Sequence, residues 1–198
     1  MHKKEQFAQA VGMFLHKKLR VTPNGLCFAR IFMTPWIMIG IVETIRTGNE
    51  WWYVYTIVLY FFAVITDFFD GPLARALAQR TSGEYDYGYG GMLDRISDKV
   101  LVIGSLIPFG FDVFVSAIIV GESILMYQAL FAASAKSKQA TAIGKIKMGM
   151  QTFVLPLMLS TIFFPVINTY HGIEWYLGTV ILFTFLSVIS HYKKEVPV

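Results

Sequence analysis

Four aspartates in two pairs are the residues of this sequence best suited to chemistry: Asp67 with Asp70 in T-D-F-F-D-G-P-L-A-R, and Asp94 with Asp98 in G-G-M-L-D-R-I-S-D-K. Each pair abuts a long apolar segment. Carboxylates at the edge of hydrocarbon are costly unless a cation or water receives them, which makes intramembrane acids candidates for a functional site. Residues three and four apart share a helix face, so each pair can aim two carboxylates at one point. Two helix ends facing each other would then collect four oxygen-rich side chains, the donor set that hard divalent cations such as Mg²⁺ or Mn²⁺ prefer.

The residues that follow the first pair extend this reading from a metal to a ligand. Gly71 and Ala74 lie one helical turn apart and leave a face bare of side chains, where a flat or bulky group can approach the backbone. Arg75 ends that face with a guanidinium able to grip a phosphate or pyrophosphate in a bidentate fork. Metal, small face and arginine together describe a site for a nucleotide diphosphate.

Taken in order, Asp67, Asp70, Gly71, Ala74, Arg75, Gly90, Asp94 and Asp98 spell D-x-x-D-G-x-x-A-R followed by G-x-x-x-D-x-x-x-D. This resembles the signature of the CDP-alcohol phosphotransferases. The resemblance implies a membrane enzyme that attaches an alcohol to the phosphatidyl group of CDP-diacylglycerol, or moves a phosphoalcohol from a CDP-alcohol, and releases CMP. It implies two Mg²⁺ or Mn²⁺ ions held by Asp67, Asp70 and Asp94, with Asp98 both at the metal site and acting as general base. It also implies CDP binding by Asp67, Gly71, Ala74, Arg75 and Gly90, and a homodimer. The chain departs from the family in residues 76–89, which are more numerous than usual because of S-G-E-Y-D-Y-G-Y-G.

For the acceptor alcohol, Gly144, Lys145, Lys147 and Gln151 in G-K-I-K-M-G-M-Q resemble a stretch of the phosphatidylglycerophosphate synthases, as does L-D-R-I-S-D-K their L-D-P-x-x-D-K. Both imply glycerol 3-phosphate. Those synthases usually carry arginine just before the fourth-helix glutamate and again one and a half turns later, where this chain has Gly121 and Gln128. That departure leaves a related enzyme with another acceptor open, such as a cardiolipin synthase using phosphatidylglycerol. Arg30, Lys145 and Lys147 are the candidate cations for an acceptor phosphate, against snorkelling for Arg30 and cytoplasmic anchoring for the two lysines.

The elements that must position these residues follow from composition and periodicity. With 198 residues, 55% hydrophobic and 15% charged, and a mean hydropathy of +0.54, the chain reads as one all-α integral membrane domain over 1–198 rather than an ordinary soluble one. Residues 1–20 set Lys3, Lys4, Lys17, Lys18 and Arg20 around Phe7, Val11, Phe14 and Leu15, the pattern of an interfacial amphipathic helix rather than a cleaved signal peptide. A six-helix bundle over 26–192 follows, with spans at 26–45, 51–76, 92–108, 111–133, 146–165 and 174–192. Pro35 should kink the first. The Gly- and Tyr-rich stretch 78–91 should be a flexible loop, with Glu84 and Asp86 as solvated acids.

Charge orients this bundle. With six spans and a cytoplasmic amino terminus, 15 of the 17 lysines and arginines fall inside, leaving Arg46 outside and Arg30 within a span. Both termini and all four aspartates then lie at the cytoplasmic face. The net charge of +4 points to anionic lipid headgroups, with no nucleic-acid partner expected, because the basic residues flank apolar spans. The lone Cys27 excludes an internal disulfide and reads as core. Intramembrane acids would also suit an ion or metal transporter, whose sites usually lie near the bilayer midplane; release of CMP would separate the two.

Overall fold

The computed structural model describes residues 22–80, 87–131, 142–164 and 171–195. Among them are six long α-helices: α1 (Pro23–Thr47), α2 (Glu50–Arg80), α3 (Tyr87–Leu106), α4 (Val113–Phe131), α5 (Ala142–Phe163) and α6 (Gly172–Glu195). A single 3₁₀ turn, Ile107–Phe109, follows α3. The expected helix at 1–20 lies outside the described residues.

Local sequence explains the helix ends. Thr22 caps α1 by accepting the Gly25 N–H at 3.1 Å, and Pro23 occupies the first helical position, where its missing N–H costs nothing. Gly48 closes α1 in the left-handed region at φ +62°, donating its N–H to the Thr44 carbonyl at 2.9 Å. Asn49 then accepts the Trp51 N–H at 2.9 Å and starts α2 in the opposite direction of the chain's run. Asp112 does the same for α4, accepting from Val115 N at 2.7 Å.

The faces of α1 show the kind of solvent around the bundle. Its buried stripe is Cys27, Arg30, Thr34, Ile37, Ile41 and Thr44, at alternating spacings of three and four, and mixes polar with small residues. Its outward stripe is Phe28, Phe32, Trp36 and Ile39. A helix that hides its polar groups and presents aromatics outward suits a hydrocarbon surround, not water. Four helical segments are long and apolar enough to cross a membrane: Pro23–Thr47, Glu50–Phe68, Ile143–Phe163 and Gly172–Ser190; Val113–Gln128 is a shorter apolar helix.

Close approach between helices rests on glycine meeting threonine. A side chain added at Gly40 would collide with Thr56 of α2, at Gly104 with Thr34 of α1, and at Gly121 with the Thr184 methyl at 2.5 Å. Each threonine can be buried because its hydroxyl donates to a carbonyl one turn earlier: Thr34 to Arg30 at 3.0 Å, Thr56 to Trp52 at 2.7 Å, Thr184 to Val180 at 2.8 Å. The threonine methyl fills the gap at Gly104 and Gly121, and the Thr56 hydroxyl oxygen does so at Gly40. These pairs join α1 to α2 and α3, and α4 to α6. Two apolar clusters complete the packing: Ile37, Ile41, Tyr60, Ala63, Leu101, Leu155 and Leu159, and a second around Leu106, Val115, Ile118, Val154 and Val180.

The structure corrects one expectation about the middle of the chain. Instead of a loop over 78–91, α2 runs on to Arg80 and α3 begins at Tyr87, leaving 81–86, with Glu84 and Asp86, outside the described residues. Glycine weakens a helix by only about 1 kcal/mol. Gly88, Gly90 and Gly91 fall in the first turns of α3, and packing of α3 against α1 and α4 outweighs that cost.

Gly121→Val should therefore force α4 from α6 and lower stability by about 1–3 kcal/mol, the usual cost of overpacking. Gly178→Ala, where an added methyl meets nothing within 4 Å, should be neutral or slightly stabilising. Thermal melting of both variants in detergent checks the contrast; equal losses would contradict it.

Candidate active site

Arg30 is the centre of the site. It lies on the inner stripe of α1 and its side chain is completely buried, so its charge must be answered within the protein. Its guanidinium meets Asp67 of α2 at 3.3 Å and Asp94 of α3 at 3.6 Å, is in direct contact with Asp98, and donates to Ser97 Oγ at 2.9 Å. Ser97 in turn donates to the Asp94 carbonyl at 2.8 Å. Oxygens of Asp67, Asp94 and Asp98 all lie within 4.8 Å of one another. Thus one arginine draws together carboxylates from two helices.

Whether this set fits a divalent cation can be judged from its oxygens. Asp94 Oδ1 is buried and accepts no hydrogen bond, with the Arg30 guanidinium 3.6 Å away, so a closer cation would complete it. Three hard oxygen donors at mutual distances below 5 Å suit Mg²⁺ or Mn²⁺. The residues present therefore fit such an ion. Beside them lies a cavity of about 210 Å³ lined by Arg30, Asp67 and Asp98, by Lys99 and Gln151, and by apolar groups including Val64, Leu101 and Met148. It has the polar end and apolar flank that a phosphorylated lipid requires.

A second buried ionic cluster adjoins the first. Glu122 of α4, fully buried, receives Lys99 Nζ of α3 at 2.8 Å and Lys147 Nζ of α5 at 2.7 Å. Gln151 donates to the same carboxylate at 2.6 Å and to Thr184 at 3.5 Å. Tyr60, another buried cavity residue, points its hydroxyl toward the Gln151 carbonyl at 3.5 Å.

The sequence-predicted residues divide accordingly. Asp67, Asp94, Asp98 and Arg30 come together. Arg30 is held inside the bundle by the acids rather than reaching along its helix to the membrane surface. Asp70, Gly71, Ala74 and Arg75 continue the backbone of α2, but their side chains lie outside the described ones. Gly90 lies against α1, where an added methyl would come within 3.0 Å of Asn24 Oδ1. Lys147 is buried on Glu122 while Lys145 is exposed, so an anchoring role at the membrane surface does not describe Lys147. Lys99, the last residue of L-D-R-I-S-D-K, pairs with Glu122. Ser97 and Thr184 were not foreseen: Ser97 stands one turn after Asp94, which was a usable signal, whereas nothing near Thr184 marks it.

Among the described residues, six helices surround a carboxylate cluster and an adjoining cavity that is polar at one end and apolar along its flank, and sequence comparison gives this arrangement a family. The CDP-alcohol phosphatidyltransferase profile matches residues 20–187, and the chain belongs to that family. Among curated relatives, it is 33% identical over 85 residues to a protein of Cereibacter sphaeroides named CDP-diacylglycerol--glycerol-3-phosphate 3-phosphatidyltransferase. A protein of the same name from Wigglesworthia glossinidia brevipalpis is 31% identical over 85 residues. Those matches span 43% of this chain, and 34% and 41% of the two relatives' lengths. No solved structure matches.

Replacing Arg30 should expose the dependence of the acids on a cation. Arg30→Gln, studied after chelator treatment, should lose about 3 kcal/mol, the lower end for breaking a buried pair because Asp67 and Asp94 retain some exposure. Added Mg²⁺ or Mn²⁺ should recover part of the lost melting temperature. A variant as stable as the parent in chelator would contradict this account.

Proposed function

We propose that this protein transfers the phosphatidyl group of CDP-diacylglycerol to glycerol 3-phosphate, giving phosphatidylglycerophosphate and CMP. The observation that carries the reading is the convergence of Asp67, Asp94 and Asp98 beside a partly apolar cavity in a chain of this family. The names of its two relatives support the acceptor, as does the burial of Lys147, one of the two lysines that the G-K-I-K stretch singled out.

Asp67, Asp94 and Asp98, with Asp70 completing the pairs, would hold Mg²⁺ or Mn²⁺, two ions by the family resemblance. When bound, such ions neutralise charge on the attacking and leaving oxygens of a phosphoryl transfer. Arg75, with the small surface of Gly71 and Ala74 and with Gly90, would bind the CDP portion. Asp98 lines the cavity in contact with Arg30, and its carboxylate is the group placed to accept a proton there. The acceptor hydroxyl oxygen then attacks the phosphorus that bears diacylglycerol. Its proton passes to Asp98 as the bond from that phosphorus to the bridging oxygen breaks, and CMP departs with the electron pair.

The same reading covers placement. Six spans, with both termini and the aspartates at the cytoplasmic face, follow if α3 and α4 also cross; the short connection from residue 107 to 112 favours antiparallel crossing. Lys99 and Lys147 are paired inside the bundle and drop out of the loop-charge count, yet the remaining lysines and arginines keep the same bias. A homodimer within a lipid bilayer is the expected assembly.

Asp98→Asn should reduce transfer by on the order of 10² to 10⁴ while CDP-diacylglycerol still binds, because the amide preserves shape but cannot take the proton. Near-parental turnover would remove Asp98 from the base role. Lys147→Gln should raise the KM for glycerol 3-phosphate about ten- to a hundredfold, with a much smaller change for CDP-diacylglycerol. Steady-state kinetics varying each substrate in turn checks both; equal KM changes would assign Lys147 to packing.

A further inference from the structure

The cluster at Glu122 carries more positive than negative charge. Lys99 and Lys147 bring two ammonium groups to one carboxylate, and Gln151 adds one neutral donor but no charge. A buried pair would satisfy Glu122 at lower desolvation cost than a buried triad. The extra cation therefore calls for an anion that the cluster itself does not contain.

The two ammonium groups are not equivalent. Lys147 is sealed behind Glu122 and does not line the cavity, whereas Lys99 lines it next to Asp98 and keeps some exposure, 13% against 3%. The remainder of the pocket offers little alternative charge. At Gly121 the Thr184 methyl already fills the space of a Cβ at 2.5 Å, so no arginine can stand there without parting α4 from α6. Gln128 is uncharged, and Lys145 is exposed. Arg30 is engaged by the aspartates.

We propose that Lys99 is the specificity-determining cation that meets the phosphate of the acceptor, and that Glu122 and Lys147 are positioning residues that hold it and set how much of its charge is free. This rests on the glycerol 3-phosphate reading and deepens it. Glu122 holds Lys99 Nζ at 2.8 Å, so that this ammonium is anchored to α4 while Asp98 is in contact with Arg30. Lys147 neutralises Glu122, which leaves the charge of Lys99 for the acceptor.

Charge counting tests this where simple deletion would not. In Lys147→Gln, Glu122 neutralises Lys99, and the KM for glycerol 3-phosphate should rise about ten- to a hundredfold. In Lys147→Gln with Glu122→Gln, Lys99 regains an unopposed charge, and that KM should fall back at least about threefold from the single variant. A role in packing alone predicts that the second substitution makes matters worse; a double variant no better than the single overturns the proposal. The mirror set guards against misfolding: Lys99→Gln should raise the same KM, and adding Glu122→Gln should bring no relief, because the contacting ammonium is gone. Relief there, or an unchanged KM in Lys99→Gln, overturns the assignment to Lys99. Parent enzyme that gives no product from glycerol 3-phosphate would instead remove the acceptor reading itself, a result seen before any variant is made.

Discussion

A guanidinium buried among carboxylates is the interaction on which the rest of this structure depends. Arg30 cannot be desolvated without anions, and Asp67, Asp94 and Asp98 cannot be gathered within 4.8 Å without a cation between them. Their mutual need ties α1 to α2 and α3 at one end of the bundle. The glycine–threonine contacts at Gly40 and Gly104 allow the helices to approach closely enough for the arginine to reach all three acids. Among the described side chains, one guanidinium faces three carboxylates, so the cluster still lacks positive charge. Asp94 Oδ1, buried without a hydrogen bond and 3.6 Å from Arg30, marks where that lack falls.

The second ionic cluster has the opposite imbalance. Two lysines face one glutamate, across a cavity wall shared with the aspartates through Asp98 and Lys99, which are adjacent in sequence on α3. Transfer of a phosphatidyl group to a phosphorylated alcohol asks for such a pairing. The reacting oxygens need metal and base, while the acceptor's own phosphate needs a cation that does not quench the base. Placing the two charge sets on successive residues of one helix, and restraining one of them with Glu122, meets both requirements in little space.

Much of the acidic site could be read from the sequence because it is carried by local spacing. Asp94 and Asp98 are one helical turn apart, and Asp67 stands at the end of an apolar run where a carboxylate is conspicuous. The first two helices were equally legible: the spans read at 26–45 and 51–76 fall inside α1 and α2. Long-range pairing was not: Glu122 meets Lys147 across 25 residues, partners from α3 and α5 converge on it, and no periodicity announces that contact. The same limit explains Arg30, whose partners are 67 or more residues away for Ser97 and Asp98. The tyrosine- and glycine-rich stretch misled for another reason. Its residues have weak helix propensity, yet packing of α3 on α1 extends the helix back to Tyr87.

The most direct test is release of CMP by the purified protein in detergent or vesicles, supplied with CDP-diacylglycerol and, in turn, glycerol 3-phosphate, glycerol and phosphatidylglycerol, each with chelator and with Mg²⁺ or Mn²⁺. The account predicts CMP and phosphatidylglycerophosphate in equal amounts, only with glycerol 3-phosphate and only with the divalent cation present. Product formed equally well from glycerol, or CMP released at the same rate in chelator, would contradict it.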